Sequence, residues 1–282
     1  MNIDKLFWSQ IDPLYHLKQS SCIRYVKDIT QHFQLDEMSS KDTSFGAELL
    51  DGMDEMKASA LMFIRFHAIE TLLTVLLGSF PHGPVPRYAK KSFGREFNEA
   101  VEAVARREIP STLEVSGVTD FDKWLAAKFW GRPGTENILD DDVIKFITVQ
   151  AALFTKKSVY NAFKHGCRVG RSWPKLSVQD EKSGEWIPVL EIGSGVGWLH
   201  WDEEKNAKSV SVTFGAMACD PADDHGAVAI MALLVRAMKV IRLAKPEDKI
   251  NVHLPVAIKA GMHLPANMNV RVGLSPVHNP IR

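Results

Sequence analysis

The spacing of apolar residues changes character at Gly170, and that change decides what kind of fold this chain can form. Before it, apolar residues recur every three to four positions, as on a helix face. After it they alternate, as on a strand with one buried face. Over 44–80 the positions Leu50, Met53, Ala60, Ile64, Ala68, Thr71, Leu72 and Val75 follow the helical repeat and predict one long helix ending near Gly78. Prolines at 81, 84 and 86 then punctuate a loop. A second helix is expected over 90–107, with Phe93, Phe97, Val101 and Val104 on one face and Pro110 just beyond. Shorter helical signals lie at 23–33 and 121–129.

The clearest helix comes after Leu139. Asp140, Asp141 and Asp142 crowd its start, while Lys156, Lys157, Lys164 and Arg168 lie toward its finish, the charge order that the helix dipole favours. Val143, Ile147, Ala151, Phe154 and Ala162 trace its apolar face with a gap at Ser158. Gly166 stands where a left-handed terminal residue is wanted, so the spacing predicts an end at His165. Beyond residue 170, "KLSVQDEKSGEWIPVLEI" carries a turn-like KSGE between two apolar-rich runs, and "SVSVTF" at 209–214 alternates strictly. An apolar helix at 227–244 and a proline-broken tail complete the chain. The expected fold class is α+β, mainly α: a helical bundle over 1–170, then an antiparallel β-meander, a C-terminal core helix and the tail over 171–282, packed on the bundle.

Composition narrows the function classes. The 282 residues are 45% hydrophobic and 24% charged, which describes an ordered globular chain. Lys plus Arg and Asp plus Glu both total 34, so any nucleic-acid contact must come from a local patch, not from global charge. Cys22, Cys167 and Cys219 form no CxxC pair, which argues against a disulfide framework and a zinc site and fits a reducing cytoplasm. The N-terminus lacks the features of a secretion signal. The apolar stretch at 227–244 is interrupted by Arg236, Lys239 and Arg242, so a core helix is expected there and no membrane partner. No cofactor and no metal are implied.

Two short motifs carry the chemistry. The first is "VLEIGSGVG" at 189–197, with glycines at 193, 195 and 197 after an apolar strand and Glu191, which reads like the first motif of an S-adenosylmethionine-dependent methyltransferase. Such a site needs a helix beginning at the last glycine, because the ligand sits at that helix N-terminus. The eleven residues between Gly197 and Ser209, "WLHWDEEKNAK", show no helix stripe, so a hairpin is expected instead. The glycines then read as strand ends and bulges. Trp173, Trp186, Trp198 and Trp201 also crowd this region, either as core or as a stacking platform.

The second motif is "VYNAFKHG" at 159–166. Asn161 and His165 are four apart and share one side of a helix, with Lys157, Lys164 and Arg168 close beside them: a basic polar face at a helix C-terminus. The motif and the run of long helices before it resemble the HEPN superfamily (higher eukaryotes and prokaryotes nucleotide-binding). Its members often carry an arginine, a polar residue and a histidine at the end of a long helix. The corresponding residues are Tyr160, Asn161 and His165, so tyrosine stands where the family carries arginine. The resemblance covers roughly 40–170 and implies a homodimer in which two helix ends meet to bind RNA or a nucleotide. It implies cleavage only where the arginine is present, since tyrosine cannot supply the fixed charge that stabilises a pentavalent phosphate. Glu70, trailed by ten uncharged residues, adds a carboxylate in want of a partner, which Lys164 or His165 would serve. The expectation is a non-catalytic or degenerate nucleic-acid binder, with the methyltransferase and a purely structural self-association module as alternatives.

Overall fold

The computed structural model describes residues 3–25, 53–79, 85, 94–131, 138–156, 160–161, 169–171, 175–179, 183–191, 195–203, 210–244, 260–265 and 267–274. The fold is α+β and mainly α, with antiparallel sheet. Two compact units interleave along the chain: residues 1–25, 63–156 and 221–264 form one, and 26–62, 157–220 and 265–282 the other.

The first unit is helical. Helices α1 (Ile3–Gln10) and α2 (Tyr15–Tyr25) open the chain, and α3 (Met53–Leu77) enters the unit from Phe63 onward. Then come α4 (Arg95–Ala105), α5 (Phe121–Trp130), α6 (Asp141–Thr155) and α7 (Pro221–Leu243). Residues 61–66 of α3 are all buried, as in a helix surrounded by protein on every side. Met56–Leu77 is long and apolar enough to cross a membrane by composition alone, yet 72% of its apolar window is buried inside the fold, as for a core helix.

Asp120 accepts from the Lys123 amide to start α5, and Asp140 accepts from the Asp142 amide to start α6. Gly131 ends α5 at φ 74°, the left-handed conformation that favours glycine, and an added Cβ there would run into the Arg242 guanidinium. The buried face of α4 (Phe97, Ala100, Val101 and Val104) meets α6, where Phe97 and Phe154 pack edge to face at 6.1 Å. Helix α7 lies against α1, α2 and α5. The core helix grouped by sequence with the meander thus packs among helices.

The second unit holds the sheets. Strands β1 (Val169–Arg171), β4 (Gly195–Glu203), β5 (Val210–Ala218) and β6 (Asn267–Leu274) form one antiparallel sheet in the order β1-β4-β5-β6. Strands β2 (Lys175–Gln179) and β3 (Trp186–Glu191) form a separate antiparallel pair. Its register slips after Leu176, beside Pro188, which has no amide to give the ladder. In the same unit Cys219 and Met62 are buried with their sulfurs 3.5 Å apart.

Three boundaries differ from the sequence expectations. The helix expected to reach His165 has its described end at Thr155, with Lys156 turning out of the helix, and Tyr160 and Asn161 are helical again. Thr155 and Lys156 offer no apolar side chain to continue the buried stripe. The helix expected from Ala227 starts at Pro221 instead, because proline suits a first helical position and Asp223 and Asp224 suit the first turn. The proline-broken tail supplies β6, whose alternating Met268, Val270, Val272 and Leu274 pair along β5.

Candidate functional site

The helix end singled out from sequence is described in part. Tyr160 and Asn161 stand in a helical turn, the tyrosine buried and the asparagine exposed. Lys164, His165 and Arg168 lie outside the described residues. Glu70 belongs to the first unit and Tyr160 and Asn161 to the second.

Glu70 is half-buried on α3, and its charge acts on His16 of α2. Burial lowers the His16 pKa below the ordinary imidazole value; the hydrogen bond to Gln19 and the Glu70 carboxylate oppose that shift. Nδ1 of His16 lies 3.3 Å from Gln19 Oε1 and Nε2 lies 3.0 Å from Thr71 Oγ1. The ring also stacks on His67 at 6.2 Å, with the planes 9° apart. This imidazole is held from three sides, beside a cleft between α2, α3 and α7.

A second cluster, not anticipated from sequence, sits deeper. Arg65 on α3 is buried; its Nε donates to Gln150 Oε1 on α6 at 3.1 Å. Its Nη1 donates to Asp223 Oδ2 and Asp224 Oδ1, each at 2.9 Å, in the first turn of α7. Gln150 Nε2 donates to the Gly261 carbonyl and the Gly261 amide to Asp223 Oδ1, both at 2.6 Å. Gly261 has φ 70°, and a Cβ there would crowd Ala227, Gln150 and Phe146 at 2.8–3.0 Å, so only glycine fits. Among the described residues, Arg65 Nη2 has no hydrogen-bond partner. Through a cation whose other nitrogens are all engaged by protein, the cluster pins three helices and the 260–265 segment together, which is a structural role.

A third polar group closes the end of α3. Lys128 on α5 is fully buried, and its Nζ donates to the carbonyls of Leu77 and Ser79 at 2.8 and 2.9 Å. Burial, reinforced by the nearby Arg242 charge, pushes this ammonium down to about 7. Arg242 itself donates from Nη2 to the Lys128 carbonyl at 2.8 Å and lies over the Trp8 ring at 5.9 Å. Desolvation holds it at about 10.

Among the described residues, the glycine-rich stretch lacks the helix that an adenosylmethionine site requires. Gly195 and Gly197 lie within β4, which runs on to Glu203 antiparallel to β5, so a strand occupies the place of the required helix. Among the described residues, no group of three or more His, Cys, Asp or Glu side chains is arranged to hold a metal ion. No family model matches the chain. Neither the curated proteins nor the solved structures contain a significant match.

Proposed function

We propose that this chain is a HEPN-like protein that binds RNA or a nucleotide at the helix end carrying Tyr160, Asn161, Lys164, His165 and Arg168, and that it does not cleave what it binds. The supporting observation is the inward side chain of Tyr160 beside the outward side chain of Asn161. The position that holds arginine in active members holds a packed phenol, so it presents no fixed cation to a phosphate. The neighbouring position remains available to a ligand. The surrounding sequence supplies Lys157, Lys164 and Arg168 as phosphate contacts and His165 as a donor. The reading includes a cytoplasmic homodimer that brings two such helix ends together.

The experiment is fluorescence anisotropy with a short single-stranded RNA at two salt concentrations. Lys164→Ala and His165→Ala should each weaken binding several-fold at low salt, and the deficit should narrow as salt rises. Lys164→Ala should also reduce the slope of log affinity against log salt by about one. The unmodified protein should leave the RNA intact. If neither substitution alters binding while both lower the melting temperature, the motif is a structural helix terminus and the reading is dropped.

A further inference from the structure

The first unit carries a cleft of about 370 Å³ between the start of α2, the middle of α3 and one side of α7. Its volume lies within the range of about 300–1,000 Å³ in which small-molecule sites fall. Val228, Met231, Ala232 and Val235 of α7 form one wall and Ala68 of α3 another. Of the polar side chains in the lining, His16 and Thr71 are bonded to each other, and Asp12 and Tyr15 stand beside them.

Their hydrogen bonds fix what the cleft offers. The Gln19 Oε1 acceptor, 3.3 Å away, places the imidazole proton on Nδ1. Nε2 is then an acceptor, and at 3.0 Å the Thr71 hydroxyl donates its one proton to it. The Thr71 oxygen is left with lone pairs and no proton to give, so it asks for a donor. Among the described residues the lining contains no lysine or arginine; its one ionised group is Asp12, which the Lys18 ammonium holds at 2.8 Å. A carboxylate or phosphate entering here would find no cation in the lining, only the Tyr15 phenol as a neutral donor, and the Asp12 carboxylate to repel it.

We propose that this cleft is a binding site for a small uncharged aromatic or aliphatic molecule bearing one hydroxyl or N–H group, which donates to Thr71 Oγ1 while its apolar body lies against α7. The relay runs from ligand O–H to the Thr71 oxygen, from Thr71 O–H to His16 Nε2, and from His16 Nδ1–H to Gln19. Burial of the imidazole keeps it neutral near pH 7 and so keeps the relay in this direction. The site is separate from the proposed RNA-binding helix end, and each reading stands or falls on its own experiment.

The test uses the full chain and three probes of nearly one shape in equilibrium dialysis at neutral pH: 1-naphthol, naphthalene and 1-naphthoate. Naphthol should bind one per chain, naphthalene about two- to ten-fold more weakly for want of one neutral hydrogen bond, and naphthoate more weakly still. Thr71→Val, which keeps the shape and removes the acceptor, should abolish the difference between naphthol and naphthalene. Ala232→Trp should fill the cleft and abolish binding of all three, with the melting curve checked alongside. Equal affinity for naphthoate and naphthol would overturn the proposal. So would a naphthol preference that survives Thr71→Val, or the absence of saturable naphthol binding to the unmodified protein.

Discussion

Arg65→Met will lower the unfolding free energy by about 3–5 kcal/mol, the usual cost of removing one partner from a buried ion pair. The cost arises less from the lost attraction than from the groups left behind. Asp224 is buried, and without the guanidinium 2.9 Å away its carboxylate either carries a poorly compensated charge or takes up a proton, and both cost stability. Gln150 loses its donor as well, so its hold on the Gly261 carbonyl is no longer oriented from the other end. Urea denaturation monitored by circular dichroism measures the effect. Arg65→Met combined with Asp224→Asn should recover a large part of it, because the second change removes the carboxylate that the guanidinium compensated. A single variant as stable as the parent would show that the cluster does not hold the helices together.

The second large effect is one of pH. The Lys128 ammonium loses its proton near 7 in the folded chain but only near 10.5 when unfolded. Between those values the unfolded chain holds more protons, so unfolding takes one up and stability rises with pH from about 7 to about 10.5. Below 7 both states are protonated and the full cost of burying the charge stands. A shift of this size corresponds to a gain on the order of 5 kcal/mol across the window. Lys128→Met removes the titrating group, and its stability should stay flat over the same range relative to the parent. Parallel stability–pH curves for the two proteins would contradict this account of the buried lysine.

Much of the architecture was legible because each element states its period locally. The three- and four-residue steps of α3, α4 and α6, the aspartates at the start of α6, and the alternation in β5 all appear within one short window of sequence. The hidden features depend on distant partners. Arg65 stands in the apolar run "ALMFIRFHAIE" and needs a partner even more than Glu70 does, since it is the more buried of the two. Nothing local says that its partners are 85 to 159 residues away. Glu70 illustrates the same gap, for its field reaches His16, 54 positions upstream, by way of the fold. Strand β6 was obscured because proline-broken surroundings mask an eight-residue alternation that becomes a strand only by pairing with β5. The glycine-rich stretch misled in the other direction: glycines after an apolar strand suit a ligand-binding turn and a continuing β-strand equally well, and here Gly195 and Gly197 are paired residues of β4.

The most direct test of the proposed function asks where RNA touches the protein. A short RNA containing 4-thiouridine, irradiated with the full chain and analysed by peptide mass spectrometry, reports the contacting segment. The account predicts crosslinks in the peptide spanning 157–168, lost or sharply reduced in Lys164→Ala and His165→Ala, with the RNA recovered uncut. Crosslinks confined to other segments, or RNA cut by the unmodified protein and spared by His165→Ala, would contradict it.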